Sequence, residues 1–187
     1  MKNYFKLFTL FPVLIINIVI TGVVYSKVEP PNYNFSLDEL KKFEPGSPIS
    51  AFKDLKGELI SQNGNSKTYK YYVAQLRYKF AVLVQVDDEK VLDFYATLPS
   101  YFLHDVFHQS LINRIGKQDK YFNRDEHSDY SWINRKGLDH FYSAACTITC
   151  FPIFYSSSLS KEKQPAGFKS LMSQVHDIEI SLKKSAQ

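Results

Sequence analysis

Apolar and polar residues alternate almost without interruption over Gln75–Asp87. Apolar side chains at every second position predict a half-buried antiparallel strand, because successive side chains of a strand point to opposite faces. The preceding segment 69–73 carries the opposite phase, so a turn or a bulge is expected near residues 74–75. The charged segment 87–90 predicts a hairpin into a further strand over 91–97.

Two short helices are predicted ahead of these strands. The segment 36–39, Ser-Leu-Asp-Glu, has the form of a capping box and predicts a helix over 37–43. Ser47 and Pro48 have the order of an N-cap and a first-turn proline, so a second helix is expected, ending at Gly57. The residues expected on its buried side are Ile49, Phe52 and Leu55. Residues 61–66 are predicted to form a polar turn.

A similar order of elements is predicted further along the chain. Four apolar residues spaced by four predict a helix over 103–115 that ends at Gly116. Segment 117–128 is expected to be a polar loop. Tyr130 and Trp132 are then predicted to point to one side of a strand, and a turn over 134–137 leads to another strand over 138–148.

The last part of the chain combines an apolar segment, a linker and a helix. Segment 151–155 is apolar, but Pro152 restricts it to an edge or an irregular position of a sheet. Residues 156–167 are predicted to be a linker. A closing amphipathic helix is predicted from an apolar face made of Phe168, Leu171, Met172, Val175, Ile178 and Leu182.

These elements predict an α+β fold in which an antiparallel sheet packs on short helices, with a C-terminal amphipathic helix within 156–187. Blocks 35–98 and 99–155 share the order helix, glycine, polar segment and strands, which is typical of two tandem helix–sheet units. One α+β domain without duplication is the alternative, because the residues of the two blocks match poorly.

The N-terminal residues 1–26 have the parts of a secretory signal peptide. Lys2 and Lys6 precede an apolar run, and Val24-Tyr25-Ser26 offers a cleavage site. An uncleaved anchor is the competing interpretation, because the run is long enough to cross a bilayer. Residues 27–34 are expected to be an extended linker, and both interpretations place the remaining chain outside the cytoplasm.

Composition and charge exclude several classes of protein. The 29 aromatic residues, 15 Phe, 13 Tyr and 1 Trp, argue against a disordered chain. Loss of Lys2 and Lys6 with the leader lowers the net charge from +4 to +2. Such a small charge gives no field for nucleic-acid binding, so we expect no nucleic-acid partner.

The segment 43–57, Phe-Glu-Pro-Gly-Ser-Pro-Ile-Ser-Ala-Phe-Lys-Asp-Leu-Lys-Gly, resembles the opening of the SmpA/OmlA outer-membrane assembly lipoproteins. Segment 111–119 followed by Tyr-Ser-Trp at 130–132 resembles a second such unit, as found twice in β-lactamase-inhibitor proteins. The resemblance implies a protein-binding scaffold of the cell envelope, periplasmic in a Gram-negative-type bacterium, with no catalysis and no cofactor.

This chain departs from that superfamily at three points. It has no lipid-attachment cysteine, Ser47 stands where the family has a larger residue, and segment 146–155 has no counterpart. We expect another envelope protein as the partner, and contact with the membrane only through an uncleaved leader. The exposed recognition surface is expected among tyrosine and tryptophan residues, which dominate binding hot spots. The candidates are Tyr71, Tyr72, Tyr95, Tyr130 and Trp132.

His104 and His108 are weak candidates for a metal site. Two histidines four apart share one face of a helix and could bind one metal ion, with His127 or His140 as a third ligand. The alternative is a pair of hydrogen-bonded packing residues at the border of the core. A small metal- or thiol-dependent exported enzyme or redox protein is therefore the alternative function.

The cysteines Cys146 and Cys150 are the only two in the chain. An even count in an oxidising compartment favours a disulfide. In one continuous strand the two residues would be about 13 Å apart, too far for a bridge. Either the chain turns sharply between them and a local disulfide forms, or two free thiols share one face; a metal pair is a third, weaker option.

Overall fold

The computed structural model describes residues 37–75, 78–98, 104–124, 127–146 and 150–175. The predicted leader and linker, 1–26 and 27–34, lie outside these residues. Within these residues lie the α-helices α1 (Asp38–Lys41) and α2 (His104–Ile115) and the start of a further helix over 171–175, and single 3₁₀ turns span Ile49–Phe52 and Lys161–Lys163. The strands are β1 (Glu58–Asn63), β2 (Ser66–Gln75), β3 (Tyr78–Asp87), β4 (Lys90–Leu98), β5 (Lys120–Arg124), β6 (His127–Arg135), β7 (Leu138–Cys146) and β8 (Cys150–Leu159).

All eight strands form one antiparallel sheet in the order β1-β2-β3-β4-β8-β7-β6-β5. Strands β1 to β4 form one meander and β5 to β8 another, and the last strand of each meander pairs with that of the other. The pairing of β4 with β8 places Ala96 opposite Tyr155. The architecture is α+β in the predicted sense of an antiparallel sheet with short helices, although the sheet accounts for most of it.

One face of the sheet packs against the helices and is called here the helix face. Val82, Phe94, Tyr142 and their neighbours in register lie on it and are buried. The ring of Phe107 on α2 lies 5.1 Å from that of Tyr142 and 5.8 Å from that of Tyr155. Burial of this apolar area is the main source of the fold's stability.

The first meander is covered by a smaller aromatic cluster. The Phe43 and Phe52 rings lie 5.6 and 5.1 Å from the ring of Tyr71. The same Tyr71 ring lies so close to Gly57 that a Cβ atom there would be only 2.5 Å from Tyr71 Cε1. Gly57 therefore allows the Tyr71 ring to pack closely, and it does not end a helix as predicted.

The second predicted helix is wrong: the chain forms only the 3₁₀ turn Ile49–Phe52 after an extended Pro48. The backbone just before the turn is hydrogen-bonded to the β3–β4 hairpin. Gly46 N–H donates to Val91 O at 2.8 Å, and Val91 N–H donates to Ser47 O at 2.9 Å. These bonds hold the segment extended, so an α-helix cannot start at Ser47.

The first predicted helix is shorter than expected, because α1 ends at Lys41 and a turn follows it. Its N-cap position is Leu37, which makes no side-chain cap. The predicted capping residue Ser36 lies outside the described residues. The helix predicted to end at Gly116 is confirmed as α2, and Gly116 takes a φ of 95°, as a helix C-terminus favours.

Two predicted polar segments contain strands. The turn expected over 61–66 is present but is confined to residues 64–65, because β1 extends to Asn63 and β2 begins at Ser66, and β5 lies within the predicted loop 117–128. Both are edge strands, and every residue of β1 is exposed. Because neither face of such a strand is buried, no alternation of apolar and polar residues reveals it.

The predicted edge segment 151–155 belongs to β8, which is central in the sheet. Pairing with β4 begins only at Ile153, opposite Leu98, and the register of β8 with β7 shifts between Ala144 and Cys146. Pro152 is tolerated because it lies in this irregular part, where no ladder hydrogen bond from its nitrogen is needed. The linker predicted over 156–167 is likewise wrong over 156–159, which continue β8.

Helical backbone at the C-terminal end begins at Leu171, not at Phe168, and is described as far as Val175. The remainder of the predicted closing helix lies outside the described residues. Within the described ranges, no helix combines the length and the hydropathy needed to cross a membrane.

Candidate functional site

The five predicted binding residues divide between the interior and the surface. Tyr71, Tyr130 and Trp132 are buried on the helix face, and Tyr95 is buried on the opposite face. Tyr72 is 51% exposed. The expectation that Tyr71 and Tyr72 point to opposite faces, with at least one exposed, is therefore confirmed, and only Tyr72 of the five offers an open ring.

Exposed apolar side chains are concentrated at the two edges of the sheet. Tyr72 and Phe122 are each about half exposed, at 51% and 52%. Every large apolar residue that is exposed in the described part of the chain lies on one of the two outermost strands of an edge. The set is Leu59, Ile60 and Tyr72 at one edge and Tyr121, Phe122 and Ile133 at the other.

The face opposite the helices carries a row of side chains that connects these two edges. The strand registers place Tyr72 beside Ala81 at one end and Asp129 beside Phe122 at the other. Near the middle of the sheet, the rings of Tyr95 and Phe154 stack at 5.4 Å. Next to Tyr72, Lys70 Nζ lies 5.2 Å from the centre of the Tyr72 ring, and a hydrogen bond with Tyr72 raises the pKa of Lys70.

A cavity of about 550 Å³ lies on the helix face, between α1, the end of α2 and the β6–β7 turn. We call it the helix-face cavity. Its apolar lining includes Leu40, Phe94 and Tyr155, and its polar lining includes His140 and Ser157. The volume is within the range of small-molecule sites.

His140 and Tyr155 form the polar centre of this cavity. The His140 Nδ1 and Tyr155 Oη atoms are 3.0 Å apart, and the two rings stack almost in parallel. Burial lowers the pKa of His140 to about 4, although Asp139 opposes the shift. Burial also raises the pKa of Tyr155. At neutral pH both groups are therefore uncharged and act through hydrogen bonds.

Charged side chains surround the mouth of the helix-face cavity. Arg114 Nη1 pairs with Asp38 Oδ1 at 3.0 Å, and Arg135 Nη2 pairs with Asp119 Oδ1 at 2.7 Å. The charged residues that line the cavity itself are Lys41, Glu44, Arg114, Arg135 and Lys136. The mouth is therefore mainly cationic, while the interior is neutral.

A second cavity, of about 450 Å³, lies on the opposite face beneath segment 164–173. Asp93 is buried there, and its Oδ2 accepts a 2.6 Å hydrogen bond from Leu171 N–H. The Gln85 amide, oriented to satisfy its neighbours, donates to Asp93 Oδ1 at 3.1 Å. Burial raises the pKa of Asp93 to about 7, against the effect of the Leu171 hydrogen bond. This carboxyl group fixes the C-terminal segment to the sheet.

The structure places the weak metal candidates His104 and His108 in an aromatic cluster. Their rings stack at 5.8 Å, and His104 Nδ1 lies 2.8 Å from Tyr142 Oη. The other nitrogen, Nε2, is 3.4 Å from Tyr130 Oη. His104 thus meets a tyrosine hydroxyl on each side, as a packing residue does. No group of three or more potential metal ligands occurs within the described residues.

The strand register brings Cys146 and Cys150 opposite each other, at the end of β7 and the start of β8. Facing residues of an antiparallel pair have Cα atoms about 4.5–5.5 Å apart, which is within reach of a disulfide. The two cysteines therefore face each other on two antiparallel strands and do not lie along one continuous strand. His140 belongs to the same strand as Cys146, but its Nδ1 faces the Tyr155 hydroxyl.

Comparisons with protein-family models, with curated proteins and with solved structures found no match. The resemblance to the SmpA/OmlA and β-lactamase-inhibitor proteins therefore stays a prediction. The groups that define the helix-face cavity were not predicted as a site, because they come from distant parts of the chain. The sequence carried a partial signal for this cavity, since alternation along β7 places His140 on the same side of the strand as Tyr142.

Proposed function

We propose that the protein is an exported, non-catalytic protein-binding or scaffold module of a bacterial cell envelope, in the periplasm or envelope of a Gram-negative-type bacterium. The observation that supports this is the concentration of exposed apolar side chains at the two sheet edges. A group of exposed apolar side chains, such as the three at each edge, is typical of an interaction site. The partner is another envelope protein, with no nucleic acid involved and with membrane contact only through an uncleaved leader.

The edge strand β5 favours an extended partner segment. Among the described strands, none pairs with its outer backbone groups, and Tyr121 and Phe122 expose apolar rings on this strand. A peptide that adds a strand to such an edge gains backbone hydrogen bonds, while its alternate side chains contact the exposed rings. Lys120 directly precedes these two residues on β5, so we expect a segment that combines acidic and apolar residues.

The sheet order supports the finer architectural proposal of two tandem helix–sheet units. Each four-stranded meander follows a helical segment, and β4 and β8, the last strands of the meanders, pair with each other. The second unit then extends to Leu159 rather than to residue 155. We also propose that the helix beginning at Leu171 continues as the predicted C-terminal amphipathic helix.

Site-specific photo-crosslinking in the native cell tests the binding proposal. A photoreactive residue at position 122 should capture one defined envelope protein, and the same residue at the exposed position 53 should not. With that partner purified, Phe122→Ser should weaken binding at least tenfold, as loss of an aromatic hot spot does. The matched surface variant Lys53→Ser should bind normally. Equal capture at both positions, or normal binding by Phe122→Ser, would contradict the proposal.

The proposal of export is tested by the intact mass of protein recovered from its native cell without reductant. A mass of Lys27–Gln187 less two hydrogens, with no thiol alkylation, is expected for a cleaved leader and a Cys146–Cys150 disulfide. A full-length mass with two alkylated thiols would instead indicate an anchored protein with free cysteines. That outcome would favour the thiol-dependent alternative.

A further inference from the structure

The helix-face cavity contains a buried polar atom without a partner. Ser157 is only 2% exposed, and its Oγ forms no hydrogen bond with any described residue. A buried hydroxyl that makes no hydrogen bond costs roughly 1–3 kcal/mol. The strand registers place Ser157 between Phe94 and His140, on the helix face, so its side chain belongs to the lining of this cavity.

The middle of the cavity is apolar. Leu40 from α1, Phe94 from β4 and Leu138 from β7 contribute side chains that are buried or nearly so. The Tyr155 ring completes this surface, while its hydroxyl is already close to His140. An occupant must therefore present an apolar body to these side chains and needs a polar atom only where it reaches Ser157.

The mouth of the cavity favours a negative charge. Four cations line it, Lys41, Arg114, Arg135 and Lys136, against the single carboxylate of Glu44. Asp38 and Asp119 neutralise part of this charge by pairing with the two arginines, yet cations still outnumber carboxylates. Guanidinium groups also bind carboxylates with two parallel hydrogen bonds.

We propose that the helix-face cavity binds a small carboxylic acid that has an apolar body and, at the end remote from the carboxylate, one hydroxyl or carbonyl oxygen. The carboxylate lies at the mouth near Arg114 and Arg135. The apolar body packs on Phe94 and Tyr155, and the remote oxygen forms a hydrogen bond with Ser157 Oγ. This site is separate from the sheet edges, so its occupancy does not depend on the proposed protein partner.

The charge distribution also sets a limit on the ligand. His140, which lies opposite Ser157 in the strand register, is uncharged at neutral pH, because burial lowers its pKa to about 4. No cation therefore lies beside Ser157 to compensate a second negative charge, and a buried unpaired carboxylate is costly. A dicarboxylic acid of the same length is expected to bind much more weakly.

Calorimetric titration of the protein purified from its native cell tests these points with four probes of equal chain length. We expect 10-hydroxydecanoate to bind more tightly than decanoate, and both to bind more tightly than decanedioate and 1,10-decanediol. A difference in affinity of about 3–10-fold between 10-hydroxydecanoate and decanoate corresponds to one hydrogen bond. Absence of binding by every probe at millimolar concentration would overturn the proposal, as would equal binding of the diol.

Two variants with matched controls test the contact at Ser157 and the contact at Arg135 independently. Ser157→Ala should lower the affinity for 10-hydroxydecanoate to that for decanoate, whereas Ser158→Ala, on the opposite face, should change neither. Arg135→Gln should weaken the binding of both monocarboxylates without affecting the diol. Lys79 is a cation on the opposite face, so Lys79→Gln should leave all affinities unchanged. Thermal melting of each variant identifies any that fails to fold. Unchanged affinities in both Ser157→Ala and Arg135→Gln, with folding intact, would overturn the proposal.

Discussion

The two faces of the sheet are held by different forces. On the helix face, α2 and the segment before β1 cover a continuous apolar surface, and the half-buried His140 and the buried Tyr155 are neutral. On the opposite face, the C-terminal segment is fixed over a row of polar side chains, and Leu171 N–H donates to the buried carboxyl of Asp93. The first face depends mainly on apolar burial, while the second depends on the hydrogen bonds of a buried carboxyl group.

The largest expected effect comes from the helix face. Trp132 is fully buried, and its indole N–H donates to Gly116 O at 2.7 Å. Trp132→Ala should lower the free energy of unfolding by about 3–5 kcal/mol, because it leaves a cavity and an unpaired carbonyl. Phe122→Ser, on the neighbouring strand but exposed, should change it by less than about 0.5 kcal/mol. Urea denaturation monitored by circular dichroism measures the free energy of unfolding of both variants. Similar losses in the two would contradict the view that burial on the helix face is a main source of stability.

The opposite face should make stability fall as pH rises. Burial raises the pKa of Asp93 from 3.8 to about 7, so the folded state binds this proton more tightly than the unfolded state does. The resulting stabilisation is fully present below about pH 4 and is lost as pH approaches 7. The shift corresponds to at most about 4 kcal/mol, and the hydrogen bond from Gln85 reduces it. Asp93→Asn removes this pH dependence, which urea denaturation at several pH values between 4 and 8 would show.

The helix face should produce the reverse slope. Burial lowers the pKa of His140 from 6.5 to about 4, so here the unfolded state binds the proton more tightly. Stability from this group rises with pH between 4 and 6.5 and is constant above that range, with a total change of at most about 3 kcal/mol. In the wild type the two slopes largely cancel.

The single variants therefore expose one face each. Between pH 4 and 6.5 the free energy of unfolding should rise with pH in Asp93→Asn and fall with pH in His140→Gln. The double variant should show neither slope. If the free energy of unfolding changed with pH in the same direction in both single variants, Asp93 and His140 would not be the sources of the two opposite slopes.

Sequence patterns predicted the parts of the fold in which one face is buried. Strand β3 and helix α2 have clear periods of two and of four residues, because one side of each packs on the core. Edge strands β1 and β5 were missed, since a strand exposed on both sides leaves no period. Strand β8 was predicted as an edge and a linker, because Pro152 and the serines at 156–158 are typical of loops.

The candidate sites depend on register, which local patterns do not contain. His140 and Tyr155 meet only because β7 pairs with β8 and the register places them on one face. Four of the five residues predicted for an exposed aromatic surface are buried, for a related reason. Burial of Tyr95, Tyr130 and Trp132 depends on what lies over each face, whereas alternation alone predicts only that neighbouring side chains point to opposite sides.

The smallest expected effect compares adjacent serines on the two faces. Ser157 Oγ is buried on the helix face and has no partner among the described residues, so Ser157→Ala should stabilise the unliganded protein by up to about 1 kcal/mol. Ser158 points to the opposite face, beside Asp93 and Asp139, and is only half-buried. Ser158→Ala should therefore change the free energy of unfolding by less than about 0.5 kcal/mol. Thermal melting of both variants measures the difference, and a Ser157→Ala variant less stable than wild type would mean that the hydroxyl has a hydrogen-bond partner in the folded protein. A stabilising Ser157→Ala that also loses affinity for 10-hydroxydecanoate would instead identify Ser157 as a residue that lowers stability in order to bind a ligand.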